Sequence, residues 1–356
     1  MNQVRRHAAA NAKAMAIFGQ LLKRDDYIAL LNMDQVDNII KYLKNKTHYS
    51  MIFDDLNNPI EVYERMMKQY FFSCYGKLSY FYFDEYKTFF KSMTVRYEVE
   101  NLKLYIRAIS RQEDPSNLEK HLLLSSSYSE IDYLEITKAK NMQELIYSLK
   151  GTRFHDPMLP FLYEEPSRMA FHMEMILDRL YFNQLHQSIL RLNRGDREAM
   201  MDLLGMNIDA LNLQWIYRGR RYYDMSSEEL FNFTLSDGKK YDLKRLKELC
   251  YMDLDAYREI IIADEYGDLF KAQEYMLERA MERYLFYKVE KMIRKAEISI
   301  SKPVGLLFMF EYEIRDLFTI MEAKKYHFEK VEELLIRDLG RVVNGCEKVR
   351  FDGFGV

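Results

Sequence analysis

At 356 residues the chain is long enough for two or three domains, or for one repetitive body with a sizeable core. With 48% hydrophobic and 30% charged residues it has an ordinary globular profile, and a net charge of −3 argues against nucleic acid as its main partner. Six prolines and 13 glycines favour long helices over a turn-rich β fold, and Cys74, Cys250 and Cys346 fit reduced thiols rather than a disulfide framework.

The first stretch carries Arg5 and Arg6 and has no uninterrupted apolar core of the signal-peptide kind. It reads as an alanine-rich helix over residues 4–22. Asp34 is placed to cap a second helix through Val36, Ile39, Ile40 and Leu43. A helical pattern follows over about residues 60–70 and another over about 94–109, with Asp114-Pro115 as a restart. Asn141 with Glu144 three residues on resembles a capping box, and Gly151 suits the end of that helix. HDPMLPFLYEEP, with three prolines, reads as a connecting loop. Helices are expected over 167–192 and 272–296, with a turn at 235–242 (LSDGKKYD) and an irregular tail containing Gly353-Phe354-Gly355. No run of 18 apolar residues is free of charge, so no membrane span is expected.

Three stretches share one grammar. Asn101 is preceded by Glu98 and followed by Leu102 and Arg107; Asn212 is preceded by Asp209 and followed by Leu213 and Arg218. The third, altered copy is Glu313, Asp316, Leu317 and Glu322. Counting from Asn101, Asn212 and Asp316 as origins, offsets −2, +1, +4 and +5 are apolar in all three. These offsets fall within an arc of about 120° on a helix, and the acid at −3 projects inside that arc. The residue at +6 projects well away from it. A carboxylate on an apolar face must find donors or shift its pKa, so a structural polar clamp is expected. Arg179 and Arg65, on preceding helices, are the expected partners of Asp209 and Glu98. The origins lie 111 and 104 residues apart, which gives an all-α chain of three repeats of about 105 residues, near 1–112, 113–225 and 226–356.

Catalytic chemistry is not evident. There is no phosphate-cradling GxxxxGK[ST], no GxSxG, and no histidine pair at metal spacing. Asp54-Asp55-Leu-Asn-Asn58, with Asp264-Glu265-Tyr-Gly-Asp268 as a second copy, resembles the aspartate-rich motif of isoprenoid synthases. The first copy runs into Pro59 and reads as a turn rather than a helix face, so a Mg²⁺-dependent enzyme is only a remote alternative. A free-standing helical scaffold is the nearer one.

Together with Ala10-Asn11-Ala12-Lys13-Ala14, where the family often has Asn-Ala-Arg, the three motifs resemble the C subunit of the bacterial and archaeal V/A-type rotary ATPases, a relative of the d subunit of the eukaryotic V-ATPase. The resemblance covers essentially the whole chain. It implies a funnel of pseudo-threefold symmetry that has neither catalysis nor cofactor. It further implies a peripheral position on the cytoplasmic side of the cell membrane, with the central axle subunits and the membrane rotor ring of small hydrophobic subunits as partners. Lys13 in place of arginine, and Asp316 and Glu322 in place of Asn and Arg, are the departures.

Overall fold

The computed structural model describes residues 3–53, 58–115, 118, 122, 129–164, 166–271 and 276–339. Among them the regular elements are helical and no strand occurs. The first part of the chain forms α1 (Gln3–Phe18), α2 (Arg24–Leu31), α3 (Val36–Lys46), α4 (Ile60–Ser79) and α5 (Asp84–Ser110). The middle forms α6 (Tyr133–Ile136), α7 (Met142–Ser148), α8 (His155–Met158), α9 (Pro166–Leu190) and α10 (Arg194–Tyr222). The last part forms α11 (Ser227–Phe233), α12 (Leu243–Tyr251), α13 (Leu254–Ile262), α14 (Gly267–Lys271), α15 (Leu277–Lys295) and α16 (Ser301–Lys325).

The twelve side chains at the shared apolar offsets, from Val99 to Met321, are all buried, so the 3.6-residue pattern does mark the core face of α5, α10 and α16. These helices are longer than periodicity around the origin suggests. α5 starts at Asp84, because Tyr86, Phe89 and Phe90 extend the buried stripe at i, i+3 and i+4. Asn141 does cap α7: its Oδ1 accepts the Glu144 amide at 2.9 Å, and Gly151 takes φ +89° after the helix.

Two local expectations fail. Asp34 is exposed and Gln35 is the N-cap of α3, without a side-chain bond; Asp34 stands one residue too early to reach the first free amides. HDPMLPFLYEEP is not an open loop but coils into α8 and a 3-10 turn, Leu159–Tyr163. Pro157 and Pro160 both fall in first turns, where no amide is needed. Asp54, Asp55, Cys346 and the Gly353-Phe354-Gly355 tail lie outside the described residues.

Six long helices set the architecture. α5 packs on α9, α10 on α15, and α16 on α4, so the last joint returns the end of the chain to its beginning. α9 packs on α10 and α15 on α16, while α4 passes into α5 through a short turn. α5 and α9 run antiparallel: Ser92 meets Ser188 at 2.7 Å and Arg107 meets Glu174 at 2.7 Å. At the α16–α4 joint the rings of Tyr70 and Phe310 are 5.6 Å apart, and Lys325 pairs with Glu61 at 3.3 Å.

The first helix crosses this closure. α1 lies along α16 and α4; Asn11 donates to the Ser299 carbonyl at 2.7 Å and accepts the Ser299 amide at 3.3 Å. One turn earlier, fully buried His7 bonds Asp196 at 2.9 Å and the Tyr82 hydroxyl at 3.1 Å. Asp196 also accepts from Tyr86 at 2.5 Å and from the Ile300 amide at 3.2 Å. Burial raises the Asp196 carboxyl, but these donors outweigh it and hold the group below its ordinary value.

Candidate functional site

The three acids of the shared grammar are buried, and each caps a segment of backbone distant in sequence. Glu98 accepts the Ser129 hydroxyl and the Glu130 amide, both at 2.7 Å. Asp209 accepts the Lys240 amide at 2.8 Å, the Tyr241 amide at 3.3 Å and the Tyr266 hydroxyl at 2.9 Å. Glu313 accepts the Leu22 amide at 2.6 Å and the Tyr49 hydroxyl at 3.0 Å. Gly238 lies so close to the Asp209 carboxylate that a Cβ there would collide with it. Burial raises the carboxyls of Glu98 and Asp209 above their ordinary values and pushes Glu313 up to about 7. The arginines expected as partners do not serve. Arg179 donates to the Asn232 carbonyl, and neither it nor Arg65 bonds the acids; free backbone amides supply the donors instead.

The residues at the origin hold a second segment. Asn212 exchanges two bonds with Leu235, donating to its carbonyl at 2.9 Å and accepting its amide at 2.8 Å. Asp316 faces two donors, the amides of Ile336 at 2.6 Å and Arg337 at 3.1 Å. An amide side chain suits one donor and one acceptor; a carboxylate suits two donors. The departure at Asp316 therefore follows its partners. Asn101 donates to the Tyr133 hydroxyl at 2.8 Å.

The other face of the same helices lines a cavity of about 270 Å³ among α5, α9, α10, α15 and α16. Its lining uses the same offsets from the three origins. Phe89, Met200 and Val304 stand at −12, and Met93, Leu204 and Phe308 at −8, making an apolar end. Glu100, Leu211 and Arg315 stand at −1. Toward the opposite end the lining is charged, with Arg107, Glu174, Arg218 and Glu278; Glu322 is not among the lining residues. Sequence reading placed Arg107 and Arg218 off the core face but did not connect them to a cavity.

The charges between these ends are paired across helices. Arg107 on α5 makes two bonds of 2.7 Å to Glu174 on α9. Arg218 stands over the Phe171 ring at 5.9 Å. Glu311 takes Arg96 at 2.8 Å, Arg315 at 2.7 Å and the Tyr97 hydroxyl at 3.0 Å, and Arg315 also reaches Glu282. Burial would raise Glu311, but the two guanidinium groups hold it below its ordinary value. Lys103 meets Asp178 at 2.5 Å. Burial opposes the Lys103 charge, but Asp178 and Glu100 raise its pKa overall; Asp178 is pushed up by burial to about 6. Sequence reading did not pair Lys103 with Asp178 or connect Glu311 to a shared space; the signal was the second periodic face, not the apolar one.

No group of three or more His, Cys, Asp or Glu among the described residues is arranged to hold a metal ion. Asp264 of the isoprenoid-synthase alternative accepts from Lys240, from the Tyr241 hydroxyl at 2.9 Å and from the Glu265 amide. It organises a turn beside the Asp209 clamp. No described helix is long and apolar enough to cross a membrane.

The sequence profile of the ATP synthase (C/AC39) subunit family matches residues 10–333. The chain belongs to this family. Its C/AC39 relatives include the C subunit of the A-type ATP synthase of Methanocaldococcus jannaschii, 22% identical, with 93% of this chain and 86% of the relative covered. The corresponding C subunit of the A-type ATP synthase of Methanosarcina acetivorans is 21% identical over 93% of this chain and 92% of its own length. That of Thermococcus onnurineus is 21% identical, with 87% and 84% covered. A C/AC39 chain has a structural rather than a catalytic part in its complex.

Proposed function

We propose that this chain is the central-stalk subunit that couples the axle of the ATP-hydrolysing head to the membrane rotor ring of a V/A-type rotary ATPase. One observation carries the proposal: three helices line a single cavity from the same offsets, apolar at one end and charged at the other. Three units, near 1–112, 113–225 and 226–356, close around an axis and bury equivalent faces against one another. The result is a funnel. Its charged mouth takes the tip of a helical axle, whose register is set by interdigitating ion pairs, and its closed end stands on the ring. The body therefore sits on the cytoplasmic side of the membrane, attached through its protein partners.

Torque passes only if the funnel does not shear between its units. The joints α5–α9, α10–α15 and α16–α4 resist that motion by interlocked side chains, and the acid clamps tie α5, α10 and α16 to neighbouring turns. Reconstitution in sealed vesicles tests the role. Omitting this chain should leave ATP hydrolysis by the head intact and abolish ATP-driven ion pumping; pumping at full rate without it refutes the coupling role.

A further inference from the structure

The charged mouth follows one pairing rule at the α5–α9 joint and breaks it at α10–α15. Arg107, six residues past Asn101, meets Glu174, which stands 38 residues before the next origin (212 − 174). Arg218 and Glu278 hold the same offsets from Asn212 and Asp316 (316 − 278) and also line the cavity. They form no pair. Among the described residues they are the two charged groups of the lining that make no ion pair. One turn deeper the contrast recurs. Lys103 meets Asp178 across α5 and α9, but the matching positions across α10 and α15 are Gln214 and Glu282, and Glu282 turns to Arg279 and Arg315 instead. The α16–α4 joint differs again, because Glu322 replaces the arginine and does not line the cavity.

Arg218 is nevertheless held in place. Its guanidinium stands over the Phe171 ring at 5.9 Å, and Phe171 stacks on Tyr223 with centroids 4.1 Å apart and planes 12° apart. None of its N–H donors is taken among the described residues. An arginine oriented by aromatic rings with its donor fork open suits two-point recognition of a carboxylate. Arginine and aromatic residues are also the types enriched where protein partners meet. Glu278 is exposed, and so is Tyr222, one turn beyond Arg218 on α10.

We propose that the α10–α15 corner keys the axle: Arg218 clamps a carboxylate near the axle tip, Glu278 takes a lysine or arginine of the same tip, and the axle seats in one of the three rotational settings that the repeats would otherwise allow. A simple anion fits poorly, since Glu278 repels what Arg218 attracts. A helix with an acidic and a basic side chain three or four residues apart presents both signs on one face and answers both groups. The inference rests on the coupling role, which supplies the axle.

The test measures binding of the purified full chain to the purified axle subunits of the same complex. Arg218→Glu and Glu278→Lys should each weaken it by about tenfold or more, and Arg218→Lys, which keeps the charge but loses the fork, by about threefold. Lys291→Glu/Lys295→Glu, at the far end of α15, should leave it unchanged. Neither Arg218 nor Glu278 has an ion pair to lose, so these variants should unfold at the wild-type midpoint, which separates lost binding from a lost fold. Orientation is read by disulfide cross-linking. Arg111, Tyr222 and Tyr326 stand ten residues past the three origins and are all exposed; each is changed to cysteine in turn in a Cys346→Ser chain, whose other two cysteines are buried. An axle with one cysteine at its tip should link to one of the three positions, and Arg218→Glu should spread the links over all three. Equal linking in the unaltered mouth, or undiminished binding by Arg218→Glu and Glu278→Lys, refutes the keyed corner and leaves the coupling role standing. An unaltered chain that binds no axle refutes both.

Discussion

Replacing Asp209 by alanine removes the acceptor of two backbone amides and one tyrosine hydroxyl in a fully buried site. A buried donor left without a partner costs about 1–3 kcal/mol. Lys240 stands near the surface and its amide can turn to water, so the charge falls mainly on Tyr241 and Tyr266. Removing a carboxylate that burial already disfavours returns part of that loss. The expected destabilisation of Asp209→Ala is therefore about 3 kcal/mol, and about 5 at most. With a urea slope near 3 kcal/mol/M, the unfolding midpoint should drop by roughly 1 to 1.7 M. Asp34→Ala, at an exposed position with no capping bond, should move it by no more than about 0.2 M, in keeping with a surface substitution. Equal midpoints for the two variants would show that the Asp209 clamp holds nothing.

Three further outcomes follow from the buried polar groups. Exchanging the origins should destabilise in both directions. Asp316→Asn turns an amide donor toward an amide donor, and Asn212→Asp turns a carboxylate toward the Leu235 carbonyl, each costing about 1–3 kcal/mol in urea titration. Because Glu313 is raised from 4.5 to about 7 in the fold, the stability lent by its neutral form is complete below about 4.5 and lost as pH rises to about 7. Glu313→Gln should flatten the decline over that window, and an unchanged pH profile would exclude the shift. Lys103→Met removes the cation that offsets the burial of Asp178, so the carboxyl takes up a proton or stays charged without a partner; the loss should be at most about 3–5 kcal/mol, most of it regained in Lys103→Met/Asp178→Leu, and additive losses would mean that the pair does not interact.

Local pattern was enough to find the long helices and the buried acids. The clue was a carboxylate repeated inside an apolar arc, and that arc is the core face of α5, α10 and α16. The partners were not legible. Glu313 bonds an amide 291 positions away and Asp209 one 31 positions away, and a backbone amide leaves no mark in the residue identities. An arginine on the preceding helix was the visible candidate, but chain topology supplied nearer donors. The cavity was half legible. Phe89, Met200 and Val304 repeat at one offset, yet aromatic and aliphatic residues on a helix ordinarily signal core, and only the packing shows that this stripe faces a shared space.

The return of α16 to α1 and α4 has a consequence for how the protein comes into being. The α5–α9 and α10–α15 joints can form while synthesis is still under way, because each links neighbouring parts of the chain. The third cannot. Asn11 waits 288 residues for Ser299, and the Leu22 amide 291 residues for Glu313. The ring therefore begins as an open clasp and shuts last, against the largest loop entropy in the molecule. A seam completed last, with partners drawn from both α1 and α16, is also the one that a substitution at either end of the chain leaves open.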